Sequence, residues 1–421
     1  MICGLDIGTT KVAALIGEVT EAGIEILGVG QSPSEGLRQG VVVNIEATTN
    51  SIAHAVQEAE QMAAADVQSV FVGIAGGHVR GFNSLGQVSM RSREVEDTDV
   101  ARVIEQAKAV NIPLDRQIIH TVPLEYMIDG QGQIRDPIGM NGVRMEVRAH
   151  VITAAVTSVQ NIVKCCNRAG LEVMEVVLEP IASSTAVLHD DEKDLGVALI
   201  DIGGGTTDVA VYSEGSNVFT SVIVMGGHRI TQDVAHGLRT SVAEAEQIKR
   251  KHGCALISMV EGDHLIEVPG VGPRPPREFK RRFLAEVIEP RVEEIFLLAQ
   301  QELLASGCAE LAASGLVLTG GGAQMDGMLE IAEDIFQMPV RKGVPTGVAA
   351  AGAGRQKVRL TEGGFAGMIQ DPKFSTGVGL VLYGAAHDPL PTEVVERSSR
   401  TRAEAGPGIA RRFGDWVREM F

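Results

Sequence analysis

The chain has 421 residues, enough for two or more domains that each bury a core. Its net charge of −17 excludes a nucleic-acid binder, whose affinity needs a dominant basic field. Five cysteines without a CxxC pair exclude a disulfide framework and point to a reducing cytoplasm, and ten histidines without HExxH spacing point away from zinc.

The first unit is expected over residues 1–80. A strand enters through Asp6, turns on Gly8-Thr9-Thr10 and leaves through Lys11 into the apolar run Val12–Ile16. A third strand follows over Ile24–Val29. The helix expected over Ala47–Ala65 gathers Ile52, Ala55, Val56, Ala59 and Met62 on one face. Val70–Ala75 reads as a buried strand closing into Gly76-Gly77-His78, where His78 is taken as structural. Met1 runs straight into a core strand, so no signal peptide is expected, and no apolar run reaches the roughly 20 residues of a bilayer span.

Residues 81–163 read as an inserted α+β module with a structural or protein-contact role. Strands are expected near Gly86–Met90, over Gln117–Ile128 and over Val143–Thr153. Helices are expected over Asp97–Val110, capped by Thr98 or Asp97, and over Ser158–Arg168, where Cys165 and Cys166 read as small buried hydrophobes. Glu172–Leu178 returns as a strand ending at Glu179, with a helix to Leu188. A carboxylate there either orients a hydrolytic water or satisfies a helix N-terminus.

Val197–Tyr212 repeats the opening pattern: an apolar run through Asp201, then Gly203-Gly204-Gly205-Thr206-Thr207, Asp208 and a second apolar run. Two β-rich runs joined by glycines read as a hairpin whose successive N–H groups form an anion-binding concavity; the competing reading is a tight turn with no ligand. Asp201 stands where a carboxylate holds magnesium, usually through water. No GK[ST] follows, so this is not a Walker-type loop. A strand over Val218–Met225 and a helix over Arg229–Leu238 complete the copy. A β-β-β-α unit occurring twice is an internal duplication, and two facing halves place Asp6 and Asp201 on opposite walls of one cleft.

The segment from Met225 to about Leu304 is expected to be largely helical. Glu246 and Lys249 share a helix face, either as a surface ion pair or as a clamp on a nucleoside. Arg274, Arg277, Lys280, Arg281 and Arg282, with Arg291 further on, form a basic stretch that captures an acidic peptide or is simply solvated. Leu316–Leu318 leads as a strand into Thr319-Gly320-Gly321-Gly322, a turn against which an adenosine can lie flat. Residues 344–367 read as a loop, and Thr376–Gly384 as an apolar helix crossing back to the first unit. Residues 388–407 read as a disordered linker. In the last segment Ile409, Phe413, Trp416, Val417, Met420 and Phe421 occupy one arc of a helical wheel and Arg411, Arg412, Asp415, Arg418 and Glu419 the other, the pattern of a helix lying in a membrane interface or docking on a partner.

These two Asp-Gly-Thr hairpins, the Glu-x-x-Lys helix, the TGGG turn and the crossing helix together resemble the actin/Hsp70/sugar-kinase superfamily. Within it the insertion after Gly76, the run Ile200–Thr207, the segments Glu244–Gly253 and Leu284–Arg291, and the tail resemble the FtsA family of bacterial cell-division proteins. The resemblance implies an α/β, actin-like duplicated ATPase fold: two RNase H-like halves around a nucleotide cleft with an inserted α+β subdomain. Subdomain 1A would take residues 1–80, 164–195 and 368–387, and 1C residues 81–163. Subdomain 2A would take 196–227 and 305–367, and 2B 228–304, ahead of the linker (388–407) and terminal helix (408–421).

It implies ATP and Mg2+ as cofactors, with at most weak hydrolysis. Gly8, Thr9, Thr10 and Lys11 would contact phosphates from one side, and Gly203, Gly204, Gly205, Thr206 and Thr207 from the other. Asp6 and Asp201 would hold the metal, Glu246, Lys249, Gly320, Gly321 and Gly322 the nucleoside, and Glu179 a water. It further implies self-polymerisation, capture of the acidic C-terminal FtsZ peptide around Arg277, Lys280, Arg281 and Arg291, and recruitment of later division proteins. The tail would bind the anionic cytoplasmic face of the inner membrane at the midcell division site. The alternative is a sugar-type small-molecule kinase of the same superfamily, which has no use for such a tail.

Overall fold

The computed structural model describes residues 1–20, 23–262, 264–346, 348–349, 358–359 and 366–387. The Gly/Ala-rich loop lies mostly outside these residues, and the linker and the terminal helix entirely so.

The first half opens with strands β1 (Ile2–Ile7), β2 (Lys11–Thr20) and β3 (Gly23–Pro33), then a two-residue pair, β4 (Leu37–Arg38) and β5 (Val41–Val42). Helix α1 (Ile45–Ala63) starts at Asn44, whose side chain accepts from the Ala47 N–H, and β6 (Ser69–Ile74) follows. Later in the chain β11 (Glu172–Leu178) completes a sheet in the order β11-β6-β1-β2-β3. All six residues of β1 are buried, as a strand covered on both faces requires.

The second half repeats the pattern. Strands β12 (Val197–Ile202), β13 (Thr207–Ser213), β14 (Ser216–Ile223), β17 (Leu316–Thr319) and β18 (Val340–Lys342) form a sheet in the order β14-β13-β12-β17-β18. In each half the entering strand pairs antiparallel with the strand after the hairpin and parallel with the strand on its other side. The two halves are the same fold twice.

Between the sheets lies a shared layer of two helices, α4 (Glu179–Val187) and α11 (Ser375–His387). Ala182, Ala186 and Val187 of α4 and Val378, Leu380, Val381 and Leu382 of α11 are buried with residues of both sheets, among them Leu15, Phe71, Leu199 and Val317. The hydrophobic effect therefore holds the halves together through this pair.

The insertion is a sheet in the order β7 (Arg80–Ser89), β10 (Arg144–Ala155), β8 (Arg116–Ile128), β9 (Gln131–Ile134), packed by α2 (Asp97–Lys108). Helix α2 is capped by Glu96 in a reciprocal box with Asp99, not by the expected Asp97 or Thr98. The short β9 is an addition to the three strands expected. The following helix, α3 (Val156–Arg168), turns away from the inserted sheet: Val159, Ile162, Cys165 and Cys166 join the core under α1. The insertion also reaches the second half. Buried His150 on β10 bonds Asn83 at 2.8 Å through Nδ1 and Thr220 of β14 at 3.1 Å through Nε2.

A short helix, α5 (Asp190–Leu195), precedes β12. Beyond β14 come α6 (Gly227–Leu238), α7 (Val242–His252), α8 (Arg281–Ser306), α9 (Met328–Phe336) and the four-residue α10 (Ala366–Ile369). The stretch from Met225 to about Leu304 is largely helical, as expected, in α6, α7 and α8, but between α7 and α8 it also holds a hairpin, β15 (Leu265–Val268) paired with β16 (Arg277–Lys280). Four residues alternating in and out give too short a period to outweigh their helical surroundings. No described helix is long and apolar enough to cross a membrane.

Candidate functional site: the cleft between the hairpins

Gly8, Thr9 and Thr10 form the turn between β1 and β2, with Lys11 opening β2. Gly203 to Thr206 form the turn between β12 and β13, with Thr207 opening β13. The two tips face each other. A Cβ on Gly204 would overlap Cγ2 of Thr10, and one on Gly205 would overlap Oγ1 of Thr9, so only glycine admits this approach. Each turn carries a closing bond, Gly8 N–H to Lys11 O and Gly203 N–H to Thr206 O, both 3.0 Å. The Thr207 hydroxyl donates to Met225 O at 2.8 Å, and the Thr9 hydroxyl accepts from Gly40 N–H at 3.3 Å.

Acidic groups collect directly behind the tips. Lys11 Nζ donates to Asp6 Oδ2 at 2.5 Å. Asp201 Oδ2 accepts from Ser183 Oγ at 2.6 Å. Asp208, which the sequence reading passed over, is the direct cross-strand partner of Asp201. Both are buried. The Thr206 hydroxyl reaches Asp208 Oδ2 at 3.4 Å, while Oδ1 is buried with no partner. Glu179 enters from the first residue of α4, over the Cα of Gly73.

The electrostatics follow from this crowding. Burial, opposed by the Ser183 bond, pushes Asp201 up to about 6. Burial and the charge of Asp201 push Asp208 well above the usual carboxylate range. Burial, then Asp6, Asp208 and Asp201, do the same to Glu179. Like charges facing each other across a β pair destabilise it unless something compensates. The signal was present in the sequence as an Asp at each end of one glycine hairpin.

A divalent cation would compensate this crowding. Among the described residues no three acidic, histidine or cysteine side chains converge tightly enough to ligate an ion directly. That geometry fits magnesium, which keeps several waters and takes only one or two carboxylates beside phosphate oxygens. The orphaned Asp208 Oδ1 and the crowded carboxylates fit such a hydrated ion, with Asp6 and Asp201 on either side.

The expected nucleoside residues flank the second hairpin. Gly227 N–H donates to Gly203 O at 2.9 Å and His228 N–H to Gly204 O at 2.8 Å, which seats the start of α6 on the turn. Lys249 Nζ on α7 then reaches Gly227 O at 3.1 Å, Thr231 Oγ1 at 2.8 Å and Glu246 Oε2 at 2.7 Å. Gly320 turns at φ +83° against Asp201 Oδ1, and Gly322 rests on Ile202, so the TGGG turn abuts the strand that carries Asp201. Gly321 is exposed. The structure thus brings both hairpins, the acidic cluster, the Glu246–Lys249 pair and the third glycine turn into one neighbourhood.

The basic stretch is distributed over several elements. Arg277 on β16 donates to Leu238 O at 2.7 Å and lies over the Phe279 ring at 5.3 Å. Lys280 is the residue before α8. Arg281 donates to His252 O at 2.9 Å. Arg291, about 15 Å further along α8, binds Asp233 at 2.6 Å and also pairs with Glu294. The membrane-arc residues Ile409, Phe413, Trp416, Val417, Met420 and Phe421 lie outside the described residues.

Comparison with known proteins names the group to which this architecture belongs. A family model described as cell division protein FtsA matches residues 198–379, and one described as the SHS2 domain inserted in FtsA matches residues 76–153. The chain is 48% identical over 423 residues to cell division protein FtsA of Pseudomonas aeruginosa, covering 100% of this chain and 98% of that one. The chain belongs to the FtsA family. FtsA of Escherichia coli K12 is 39% identical over 429 residues, covering 100% and 98%, and that of Bacillus subtilis 38% over 381 residues, covering 90% and 82%. Among solved structures, a PilM–PilN type IV pilus biogenesis complex superposes with a TM-score of 0.63 at 16% identity over 91% of this chain and 98% of that one. MreB5 of Spiroplasma citri bound to ADP gives 0.50 at 16% identity over 90% and 94%. These likenesses establish the actin-like fold for this FtsA-family chain.

Proposed function

We propose that the chain is an ATP- and magnesium-binding, actin-like cell-division protein that polymerises at the cytoplasmic membrane, tethers FtsZ filaments there and recruits later division proteins. The observation that carries the nucleotide reading is the meeting of Thr9 and Thr10 with Gly204 and Gly205 in front of Asp6, Asp201 and Asp208. Backbone N–H groups on both turns suit phosphate oxygens, and the acidic cluster suits the metal that bridges them. The MreB5 relative bound to ADP supports the same reading.

In this proposal Gly8, Thr9, Thr10, Lys11 and Gly203 to Thr207 hold phosphates, Glu246, Lys249 and Gly320 to Gly322 the nucleoside, and Glu179 a water. The FtsA relatives from Pseudomonas aeruginosa, Escherichia coli and Bacillus subtilis, at 38–48% identity, carry the cell-division name and so favour this reading over a small-molecule kinase.

The amphipathic pattern of residues 408–421 supports membrane attachment, and the basic stretch around Arg277, Lys280, Arg281 and Arg291 supports capture of an acidic FtsZ peptide. Flotation on vesicles containing anionic lipid, comparing the full chain with one ending at Asp388, tests the tether. The full chain is expected to float and to carry FtsZ with it, and the shortened chain to stay below. Equal flotation of the two would overturn the reading.

A further inference from the structure

The metal-side carboxylate is held by groups that the nucleotide reading does not use. Ser183 lies one helical turn beyond Glu179 on the same face of α4, and its buried hydroxyl donates to Asp201 Oδ2 at 2.6 Å. A carboxylate only accepts, so that bond takes the single proton of Ser183. Thr376 Oγ1 lies 3.0 Å from Ser183 Oγ and also hydrogen-bonds Asp201, so its proton goes either to Ser183 or to the carboxylate itself. The neighbouring pair obeys the same logic. Thr319 gives its proton to Gly343 O at 3.0 Å, so Ser375 donates to Thr319 at 2.6 Å. Both hydroxyls of the first turn of α11 are therefore spent inward, one on the Ser183–Asp201 pair and the other on the parallel-strand neighbour of Asp201, Thr319.

The helix crossing fixes this chain of donors in place. Gly379 of α11 packs directly on Ala182 O, where a Cβ would overlap, so α4 and α11 touch one residue from Ser183 and three from Thr376. All four hydroxyl residues are buried. The two oxygens of Asp201 consequently differ: Oδ2 is bound to Ser183, while Oδ1 lies against the Gly320 turn. Charge-assisted O–H bonds of this length are among the stronger ones in proteins, and groups that hold a metal's carboxylates govern its affinity.

We propose that Ser183 and Thr376 are positioning residues for Asp201, holding Oδ2 and so fixing the orientation in which the carboxylate meets a hydrated magnesium ion in the cleft. This rests on the magnesium-nucleotide reading above. It goes further by making the first turn of α11 and the middle of α4 part of the metal site.

The test is calorimetric titration of ATP into the full chain over a series of MgCl2 concentrations and in EDTA. Ser183→Ala should raise the magnesium concentration needed for half of the metal-dependent gain in affinity by about tenfold. Its affinity for ATP in EDTA should match that of the unsubstituted protein. Thr376→Val, which keeps the shape and loses the hydroxyl, should shift the magnesium requirement in the same direction by a smaller factor, and Thr376→Ser should restore it. The Thr376 pair carries the test if Ser183→Ala fails to fold. An unshifted magnesium requirement in Ser183→Ala and Thr376→Val overturns the inference alone, as does an equal loss of affinity with and without magnesium. Absence of ATP binding by the unsubstituted protein overturns the nucleotide reading and this inference with it.

Discussion

Asp201 and Asp208 sit directly opposite each other across the second hairpin, two buried carboxylates on adjacent strands. Ser183 and Thr376 hydrogen-bond Asp201, whereas Asp208 has only the long Thr206 contact, and its Oδ1 is buried without a partner. Such an arrangement costs stability, and in the proposed magnesium site a bound cation would relieve it. Asp208→Asn should therefore raise the melting temperature in magnesium-free buffer by a few degrees and weaken magnesium-dependent ATP affinity by tenfold or more. Thermal melts paired with ATP titrations check both halves. A variant that is less stable and binds normally would contradict the assignment.

Gly204 gives a steric test. A valine there has to displace Thr10, moving the opposing hairpin rather than the core behind it. The expected outcome is a protein that melts within a few degrees of the original but shows no upward shift with magnesium and ATP, where the original gains stability by mass action. Scanning fluorimetry reads this directly. An undiminished ligand shift in Gly204→Val would remove the hairpin tips from the site.

His150 predicts a pH dependence. Burial lowers it from 6.5 to about 4 while it bridges Asn83 and Thr220 between the insertion and the second half. The unfolded chain takes up this proton below about 6.5 and the folded protein resists until about 4. Stability is thus full above the unfolded value and is lost as pH falls across that window. At pH 5 the loss is roughly 2 kcal/mol. His150→Gln should flatten the fall in melting temperature between pH 7 and pH 5. An identical slope in both proteins would show that His150 titrates normally.

Local patterns made the duplicated halves legible. Each entering strand announces itself by an Asp before Gly and Thr, and each helix by its 3.6-residue period, as with Ile52, Ala55, Val56 and Ala59. What escaped depends on tertiary placement. Thr376 and Ser183 are 193 positions apart, and no spacing foretells that their hydroxyls meet. Likewise α3 reads as part of the insertion because it follows it in sequence, yet its apolar face fits under α1. Asp208 reads as the first polar residue of an outgoing strand until the register sets it against Asp201. The β15–β16 hairpin was lost to a period too short to register.

One magnesium-dependent nucleotide site is proposed between the two hairpins. Calorimetric titration of ATP into the full chain, with and without magnesium, for the unsubstituted protein and for Asp201→Ala, tests it most directly. One ATP should bind per chain, more tightly with magnesium, and Asp201→Ala should abolish the magnesium-dependent gain. Equal affinity and equal magnesium response in the two proteins would contradict the account.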